Sequence, residues 1–173
     1  MLARNIIFHN VEAVIIDDRQ AALSAFAEAG FVKKYTNLVS EGMAYVDDYC
    51  YNLDGKEEME NGPAEILILN NTELFRQICS DKNISKEMTT ALKKTDGIGA
   101  FMLFTLIENV PVGFNASELL KALKEERQGI LFAPISENKF YELNARVKAD
   151  TIFDKTMGYR FDGGSVAKIK IFE

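Results

Sequence analysis

Short apolar runs alternate along most of the chain with longer segments whose apolar residues recur at helical spacing. The runs at 11–17, 65–69 and 100–107 are rich in Val, Ile, Leu or Phe, which is typical of strands buried on both faces. Briefer strands are predicted at 31–35 and 130–132. Because helices separate these strands, the order predicts an α/β fold in three layers, a mostly parallel sheet with helices on both faces.

Five helices are predicted from apolar periodicity and from residues that cap helix ends. Their apolar faces carry, in chain order, Ala22, Leu23, Phe26 and Ala27; Met43, Val46, Cys50 and Leu53; Leu74, Phe75 and Ile78; Met88 and Leu92; and Leu119, Leu120 and Leu123. The residues predicted to cap their first turns are Asp18, Ser40, Thr72, Ser85 and Asn115. We expect Gly30 to end the first helix in a left-handed conformation and Gly129 to end the fifth.

The end of the chain follows a strand pattern instead. Segments 158–161 and 167–172 flank a turn at Asp162-Gly163-Gly164, and the second segment alternates apolar and charged residues. This pattern predicts a C-terminal β-hairpin with one solvated face, placed at the edge of the sheet. We expect residues 1–173 to form a single domain.

Composition narrows the possible functions. The chain has 173 residues, of which 47% are hydrophobic, enough for a substantial core. Its 20 Lys and Arg against 26 Asp and Glu give a net charge of −6, which argues against a nucleic-acid partner. No apolar run reaches the roughly 18–20 residues of a membrane span, so we expect no direct membrane insertion by this segment. Cys50 and Cys79 fall at apolar helical positions and are expected to be core residues.

Polar residues at the ends of the predicted strands mark a candidate ligand crevice, because open α/β sheets bind ligands at the carboxyl ends of their strands. The residues at these ends are Asp17, Asp18, Asn70, Asn71, Thr105, Ala133 and Pro134. Magnesium-assisted phosphoryl transfer needs a carboxylate at the end of the central strand. Asn70 and Asn71 stand there instead, and amides cannot neutralise a divalent ion or act as a base. We therefore expect no catalytic residue, no metal and no cofactor.

Other signs of catalysis are weak. The phosphate-loop pattern GxxxxGK followed by Ser or Thr is absent, and Gly97-Ile98-Gly99 precedes a strand instead of following one. The single histidine, His9, has no nearby Cys or Ser partner in sequence and is expected to be structural. For Asp17-Asp18 and for Asn70-Asn71, a turn or a helix cap is the simpler role.

Two alternatives stay open. Asp17 and Asp18 resemble the paired carboxylates of a response-regulator receiver, and segment 130–135 resembles that fold's last strand before its proline. Asn70 and Ala133 replace the acceptor carboxylate and the lysine that a working receiver needs, which leaves a stand-alone pseudo-receiver signalling module without phosphorylation. A small-molecule enzyme is the other alternative, although no base, nucleophile or oxyanion group converges on the two aspartates in sequence.

Six segments in a fixed order carry a second resemblance. They are VIID at 14–17, AYVDDYCYNL at 44–53, EILILNN at 65–71, GIGAFMLFT at 97–105, QGILFAPISENKFYEL at 128–143 and MGYRFDGGSVAKIKI at 157–171. In this order the chain resembles the FtsK/SpoIIIE-like membrane ATPase of type VII (WXG100) secretion systems, and within it the last of the tandem ATPase modules. The resemblance covers most of the chain and implies a RecA/FtsK-like P-loop NTPase fold that lacks its P-loop.

The resemblance also implies that catalysis is lost. EILILNN would occupy the Walker B strand, so Asn70 and Asn71 stand where active modules carry Asp-Glu. After the next strand, Thr105-Leu106-Ile107-Glu108 replaces a Thr-Gln-Arg-like sensor run. The Walker A segment expected before Val11 is missing, so either the chain is an excerpt cut just after that motif or the module has lost it. The parent protein resembles an ATPase, whereas this chain is expected not to be an enzyme.

Partners follow from the same resemblance. It implies a module on the cytoplasmic face of a membrane-anchored motor, which docks WXG100-type secretion substrates or neighbouring ATPase modules. A compatible mechanism is the docking of an amphipathic helix on exposed aromatic side chains. The candidate anchors are Tyr45 and Tyr49, one turn apart and off the predicted apolar face of the second helix, and Phe114 before the fifth helix.

Overall fold

The computed structural model describes residues 11–54, 64–95, 100–105, 117–132, 156–163 and 165–170. Its elements are, in chain order, β1 (Val11–Ile16), a 3-10 helix (Ser24–Phe26), β2 (Val32–Thr36), α1 (Val39–Asp54), β3 (Ala64–Leu69), α2 (Thr72–Ser80), α3 (Lys82–Lys94), β4 (Ala100–Phe104), α4 (Glu118–Glu126), β5 (Gln128–Leu131), β6 (Met157–Asp162) and β7 (Ser165–Lys170). The described residues divide into two compact units: the first holds those between 11 and 105 together with 117–119, and the second holds 120–132, 156–163 and 165–170. The single domain expected over residues 1–173 stays a prediction.

The first unit is built on a parallel sheet of four described strands in the order β2-β1-β3-β4. The two central strands pair in register over their whole length, from Val11 opposite Ala64 to Ile16 opposite Leu69. Both strands lie where the apolar runs predict them. A central strand of a parallel sheet is buried on both faces, so all its side chains tend to be apolar. The predicted mostly parallel α/β fold is confirmed.

Helices α1, α2 and α3 pack against one another, and α1 approaches β1 closely at Gly42. A Cβ atom at Gly42 would lie 2.7 Å from Ile16 Cγ2 and 2.9 Å from Leu74 Cδ2. On the opposite face of the sheet the core is a cluster of Ala13, Ile15 and Ile68. That cluster is covered by partly buried apolar side chains that include Leu23, Phe26 and Phe31.

The regular helix predicted after Asp18 is wrong. Residues 18–30, here called the turn segment, form successive turns with i to i+3 hydrogen bonds and a single 3-10 helix, Ser24–Phe26. The Asp18 carboxylate accepts from the Gln20 N–H at 2.9 Å, and Ala21 has φ 53, which no right-handed helix allows. Gly30, expected to be left-handed, has no positive φ.

Helix ends elsewhere also differ from the predicted ones by a few residues. Asn71 caps α2, and Asp81 caps α3 through the N–H groups of its first turn, whereas Ser85 is buried within α3. After α4 the left-handed residue is Arg127, with φ 48, and Gly129 lies inside β5. Asn71 and Asp81 both cap a helix with a side-chain oxygen directly before its first turn. Several residues near each helix start carry such an oxygen, so the sequence does not single out the one that is used.

The second unit contains an antiparallel sheet in the order β5-β6-β7. The predicted hairpin is confirmed: Asp162 pairs with Ser165, and the intervening Gly163 has φ 58, a conformation suited to glycine. Strand β5 pairs with β6, with Leu131 opposite Tyr159, so it belongs to the hairpin's sheet and not to the parallel one.

The cysteines are less deeply buried than the core positions expected for them. Both are free and half-buried, and Cys50 Sγ lies 3.5 Å from Met88 Sδ. Burial raises the pKa of the Cys50 thiol to about 12 and also raises the pKa of the Cys79 thiol. Both therefore stay protonated at neutral pH, which suits packing better than chemistry. None of the described helices is both long enough and apolar enough to cross a bilayer.

Candidate functional site

The carboxyl ends of the four parallel strands meet in one group of polar side chains, here called the strand-end cluster: Asp17, Tyr35, Asn70, Asn71 and Thr105. Main-chain hydrogen bonds continue the sheet into this cluster. The Asp17 N–H donates to the Thr36 carbonyl at 2.8 Å, the Asn70 N–H to the Ile16 carbonyl at 2.8 Å, and the Thr105 N–H to the Leu69 carbonyl at 3.0 Å. The side chains that follow the strands are therefore held at a common edge.

Asp17 is the centre of the cluster and is fully buried. Its Oδ1 accepts from the Asp18 N–H at 2.9 Å and from Asn70 Nδ2 at 2.7 Å. Its Oδ2 accepts from the Leu23 N–H at 2.7 Å and from the Tyr35 hydroxyl at 3.0 Å. An ionised carboxylate offers about four lone-pair sites, and all of them are used here.

Both asparagines use the two ends of their amide groups. Asn70 donates to Asp17, and its Oδ1 accepts from the Thr105 hydroxyl. Asn71 donates through Nδ2 to the Asp17 carbonyl at 2.8 Å, and its Oδ1 accepts from the Leu74 N–H at 2.9 Å as the cap of α2. A carboxylate at either position could make only the accepting half of these contacts, so the amides fit this site and acidic residues do not.

Most of the strand-end residues singled out in the sequence are brought together. Asp17, Asn70, Asn71 and Thr105 lie in the cluster. Asp18 instead folds back onto its own turn, and Ala133 with Pro134 lies outside the described residues, as does His9. Tyr35 was missed by the sequence analysis. The available signal was its place as the last residue of the predicted strand 31–35, because the carboxyl ends of parallel strands share an edge.

The pKa of Tyr35 reports on this cluster. Partial burial raises it to about 12, and Asp17 contributes by accepting the phenol's hydrogen bond and through its negative charge. Because an unfolded tyrosine ionises near about pH 10, the folded state resists deprotonation. Stability from this interaction is fully present below about pH 10 and is lost as the pH rises toward about 12.

Tyr35→Phe should therefore flatten the loss of stability at high pH. Urea unfolding of both proteins between about pH 9 and pH 12 should give a steeper decline for the unmodified chain. Burial also raises the pKa of Tyr49, but Tyr49 is present in both proteins and cancels in the comparison. Equal slopes would contradict the Tyr35 to Asp17 hydrogen bond.

The strand-end cluster does not fit a divalent cation. Mg²⁺ and Ca²⁺ require several oxygen ligands that are free to coordinate. Both Asp17 oxygens are saturated, and the Oδ1 atoms of Asn70 and Asn71 already accept hydrogen bonds. Within the described ranges no three His, Cys, Asp or Glu side chains are grouped to hold a metal, and every buried polar side-chain atom there has a hydrogen-bond partner.

The predicted aromatic anchors have different environments. Tyr49 is only 4% exposed, and its hydroxyl donates to the Phe101 carbonyl at 2.9 Å, so the expectation of an exposed anchor is wrong there. Tyr45 is half-buried, with Lys34 Nζ 4.9 Å from its ring centre. Phe114 lies outside the described residues. The large apolar side chains that the structure exposes are Leu38, Tyr51, Phe101, Ile130 and Phe132.

Comparison with solved structures places this geometry in a known fold. The chain matches the cytoplasmic domain of EssC with a TM-score of 0.68 and 17% identity, over 98% of this chain and 33% of that one. It matches EssC (ATPases 2 and 3) from Geobacillus thermodenitrificans with a TM-score of 0.66, also at 17% identity and over the same shares. The chain has the fold of these EssC domains. The predicted resemblance to an ATPase module is thereby confirmed as a likeness of fold.

The match to EssC has a limited extent. The chain spans about a third of the length of each of the two EssC structures. No family model matches the chain, and no curated protein matches it in sequence. Within the EssC fold, EILILNN forms the central strand β3 with Asn70 and Asn71 directly after it, at the position that the sequence resemblance equates with Walker B.

Proposed function

We propose that this chain is a non-catalytic, ATPase-like binding and regulatory module of a type VII secretion motor, on the cytoplasmic face of a membrane-anchored protein. The likeness in fold to the EssC ATPase domains supports a place in such a motor. The observation that carries the non-catalytic part is the bridge made by Asn70, which donates to Asp17 and accepts from Thr105.

The Asn70 bridge occupies the position where an active module would need catalytic carboxylates. A working site holds Mg²⁺ and a water-orienting group beside the triphosphate, and both tasks need uncommitted carboxylate oxygens. Here the two positions after β3 are amides, and the nearby Asp17 carboxylate is consumed by four protein donors. The sequence also lacks the loop whose backbone N–H groups would wrap a phosphate.

Because the strand-end cluster is unsuited to phosphoryl transfer, the function proposed for this module is the binding of partners. The proposed partners are WXG100-type secretion substrates and neighbouring ATPase modules of the same protein. An amphipathic helix would lay its apolar side chains against Tyr45 on α1. Phe114 stays a second candidate anchor predicted from the sequence alone. A half-buried aromatic residue supported by a neighbouring cation, as Tyr45 is by Lys34, is a suitable rigid contact.

The pseudo-receiver alternative has one observation in its favour. The order β2-β1-β3-β4 in a parallel sheet is also the beginning of the receiver's strand order. The match to EssC domains over 98% of the chain favours the secretion module. Both functions share the expectation that the strand-end cluster does no phosphoryl chemistry.

Hydrolysis assays test the non-catalytic proposal directly. The purified chain should release no phosphate from ATP above background with Mg²⁺ present. Asn70→Asp combined with Asn71→Glu should also give none, because restoring carboxylates does not supply the missing phosphate loop. Circular dichroism should accompany the assay so that an inactive variant is known to be folded. Turnover by the unmodified chain would overturn the proposal.

A further inference from the structure

The turn segment, residues 18–30, is weakly held on the sheet. Its single 3-10 helix has no buried residue, and its backbone-to-backbone hydrogen bonds are those of successive turns. One exposed ion pair, between Arg19 Nη2 and Glu73 Oε2 at 3.1 Å, also joins the segment to α2. Ala21 holds a left-handed conformation that costs a non-glycine residue free energy. Its apolar attachment comes from Leu23 and Phe26, which are only partly buried. Segments with these properties open locally at much lower cost than the core.

Asp17 is the buried polar attachment of this segment. Each carboxylate oxygen takes one hydrogen bond from the turn segment and one from a side chain of the sheet. Oδ1 binds the Asp18 N–H and Asn70 Nδ2, and Oδ2 binds the Leu23 N–H and the Tyr35 hydroxyl. One carboxylate group thus belongs to both the strand-end cluster and the turn segment.

We propose that Asp17 is a conformational latch through which Asn70 controls the order of the turn segment. Together with the Asp18 N–H and the Tyr35 hydroxyl, the Asn70 amide holds the carboxylate in the rotation that aims Oδ2 at the Leu23 N–H. Thr105 orients Asn70 in turn. Without the amide donor Oδ1 keeps only the Asp18 N–H, so the carboxylate is held less firmly, the Leu23 N–H loses its acceptor more often, and the segment opens more often. The latch is independent of the function proposed above, because it involves no nucleotide and no partner.

Hydrogen exchange at the Leu23 amide of the 173-residue chain measures the latch. Asn70→Ala should exchange about tenfold faster at Leu23, since loss of one buried hydrogen bond is worth roughly a factor of ten in an opening equilibrium. Thr105→Val, which keeps Asn70 but removes the hydroxyl that orients it, is a milder variant with an expected increase of about threefold. Unchanged exchange at Leu23 in the folded variants would overturn the proposal.

A matched control separates the latch from general loss of stability. Leu53→Ala removes a fully buried side chain of α1 and leaves the strand-end cluster intact. Because opening at Leu23 is local, its exchange should stay at the unmodified rate in Leu53→Ala. The same acceleration in Leu53→Ala as in Asn70→Ala would mean that the segment opens only with the whole unit, and the latch would be rejected.

An exchange of the two side chains gives a second and independent test. Asp17→Asn combined with Asn70→Asp keeps a carboxylate against a carboxamide with their roles reversed. The new amide at position 17 can still present its oxygen to Leu23 and Tyr35 and its NH2 to the new carboxylate at position 70, while the Asp18 N–H loses its acceptor. Exchange at Leu23 should therefore be several-fold slower in this double variant than in Asn70→Asp alone. Equal rates in the single and double variants would contradict the latch.

Discussion

Asn70→Asp is expected to lower the free energy of unfolding by about 3 kcal/mol or more at neutral pH. The substitution removes the donor that Asp17 Oδ1 now accepts from at 2.7 Å and puts a second carboxylate in its place. Asp17 is fully buried and Asn70 nearly so, so water cannot screen the two like charges. The loss therefore combines a broken buried hydrogen bond with repulsion at close range.

The effect of Asn70→Asp should depend on pH. Two buried carboxylates at this distance share one proton, which raises the pKa of one of them above its unfolded value of about 3.9. The folded variant then binds more protons than the unfolded chain, so the penalty is small near about pH 4 and grows as the pH rises through the raised pKa. Urea unfolding near pH 4.5 and near pH 7.5 measures this difference.

Asn83→Asp is the matched control for this prediction. It makes the same chemical change on an exposed residue in the first turn of α3, where the helix dipole tolerates a negative charge. Its unfolding free energy should stay within about 0.5 kcal/mol of the unmodified chain. If the two variants lost equal stability near neutral pH, the hydrogen bond between Asn70 and Asp17 would be disproved.

Gly42→Ala should also destabilise the protein, by about 2 kcal/mol, although alanine is the better helix former by about 1 kcal/mol. The added methyl would meet Ile16 Cγ2 at 2.7 Å and Leu74 Cδ2 at 2.9 Å. Leu74 can swing its side-chain end aside. Ile16 cannot, because it is β-branched, fully buried and placed in a central strand. Helix α1 would have to move off the sheet.

The control for Gly42 is another glycine of the same unit. A Cβ atom at Gly30 would have no heavy atom within 4 Å, and Gly30 has no positive φ. Gly30→Ala should therefore be neutral or stabilising by up to about 1 kcal/mol, through the lower entropy of the unfolded chain. Urea midpoints of both variants provide the measurement. A Gly42→Ala protein as stable as the unmodified chain would refute the close approach of α1 to β1.

The sheet could be predicted from the sequence because its strands must be apolar on both faces, as EILIL in β3 shows. The turn segment could not. Its apolar residues recur at helical spacing, which predicts a helix. In the structure the Leu23 N–H donates to Asp17 and Ala21 is left-handed, and hydrophobic periodicity predicts neither feature. A local pattern predicts a helix only when no stronger partner competes for its backbone.

The site was predicted in position but not in detail. Strand ends of a parallel sheet must share an edge, so the meeting of Asp17 with Asn70 and Thr105 follows from topology. The saturation of Asp17 by its four donors could not be predicted, because two of them, Tyr35 and Asn70, are brought to it only by the tertiary structure. Tyr49 was misjudged because the buried face of α1 includes Gly42, which carries no hydrophobic signal, and because tyrosine packs as readily as it is exposed.

We propose that this module binds a partner and does not hydrolyse a nucleotide. Calorimetric titration of the whole chain with the C-terminal peptide of a WXG100-type substrate from the same genome, with Mg²⁺ and ATP in a parallel cell, tests it most directly. We predict saturable heat from the peptide and none from ATP, with peptide affinity about tenfold lower in Tyr45→Ala and unchanged in Tyr51→Ala. Saturable heat from ATP and none from the peptide would contradict the account.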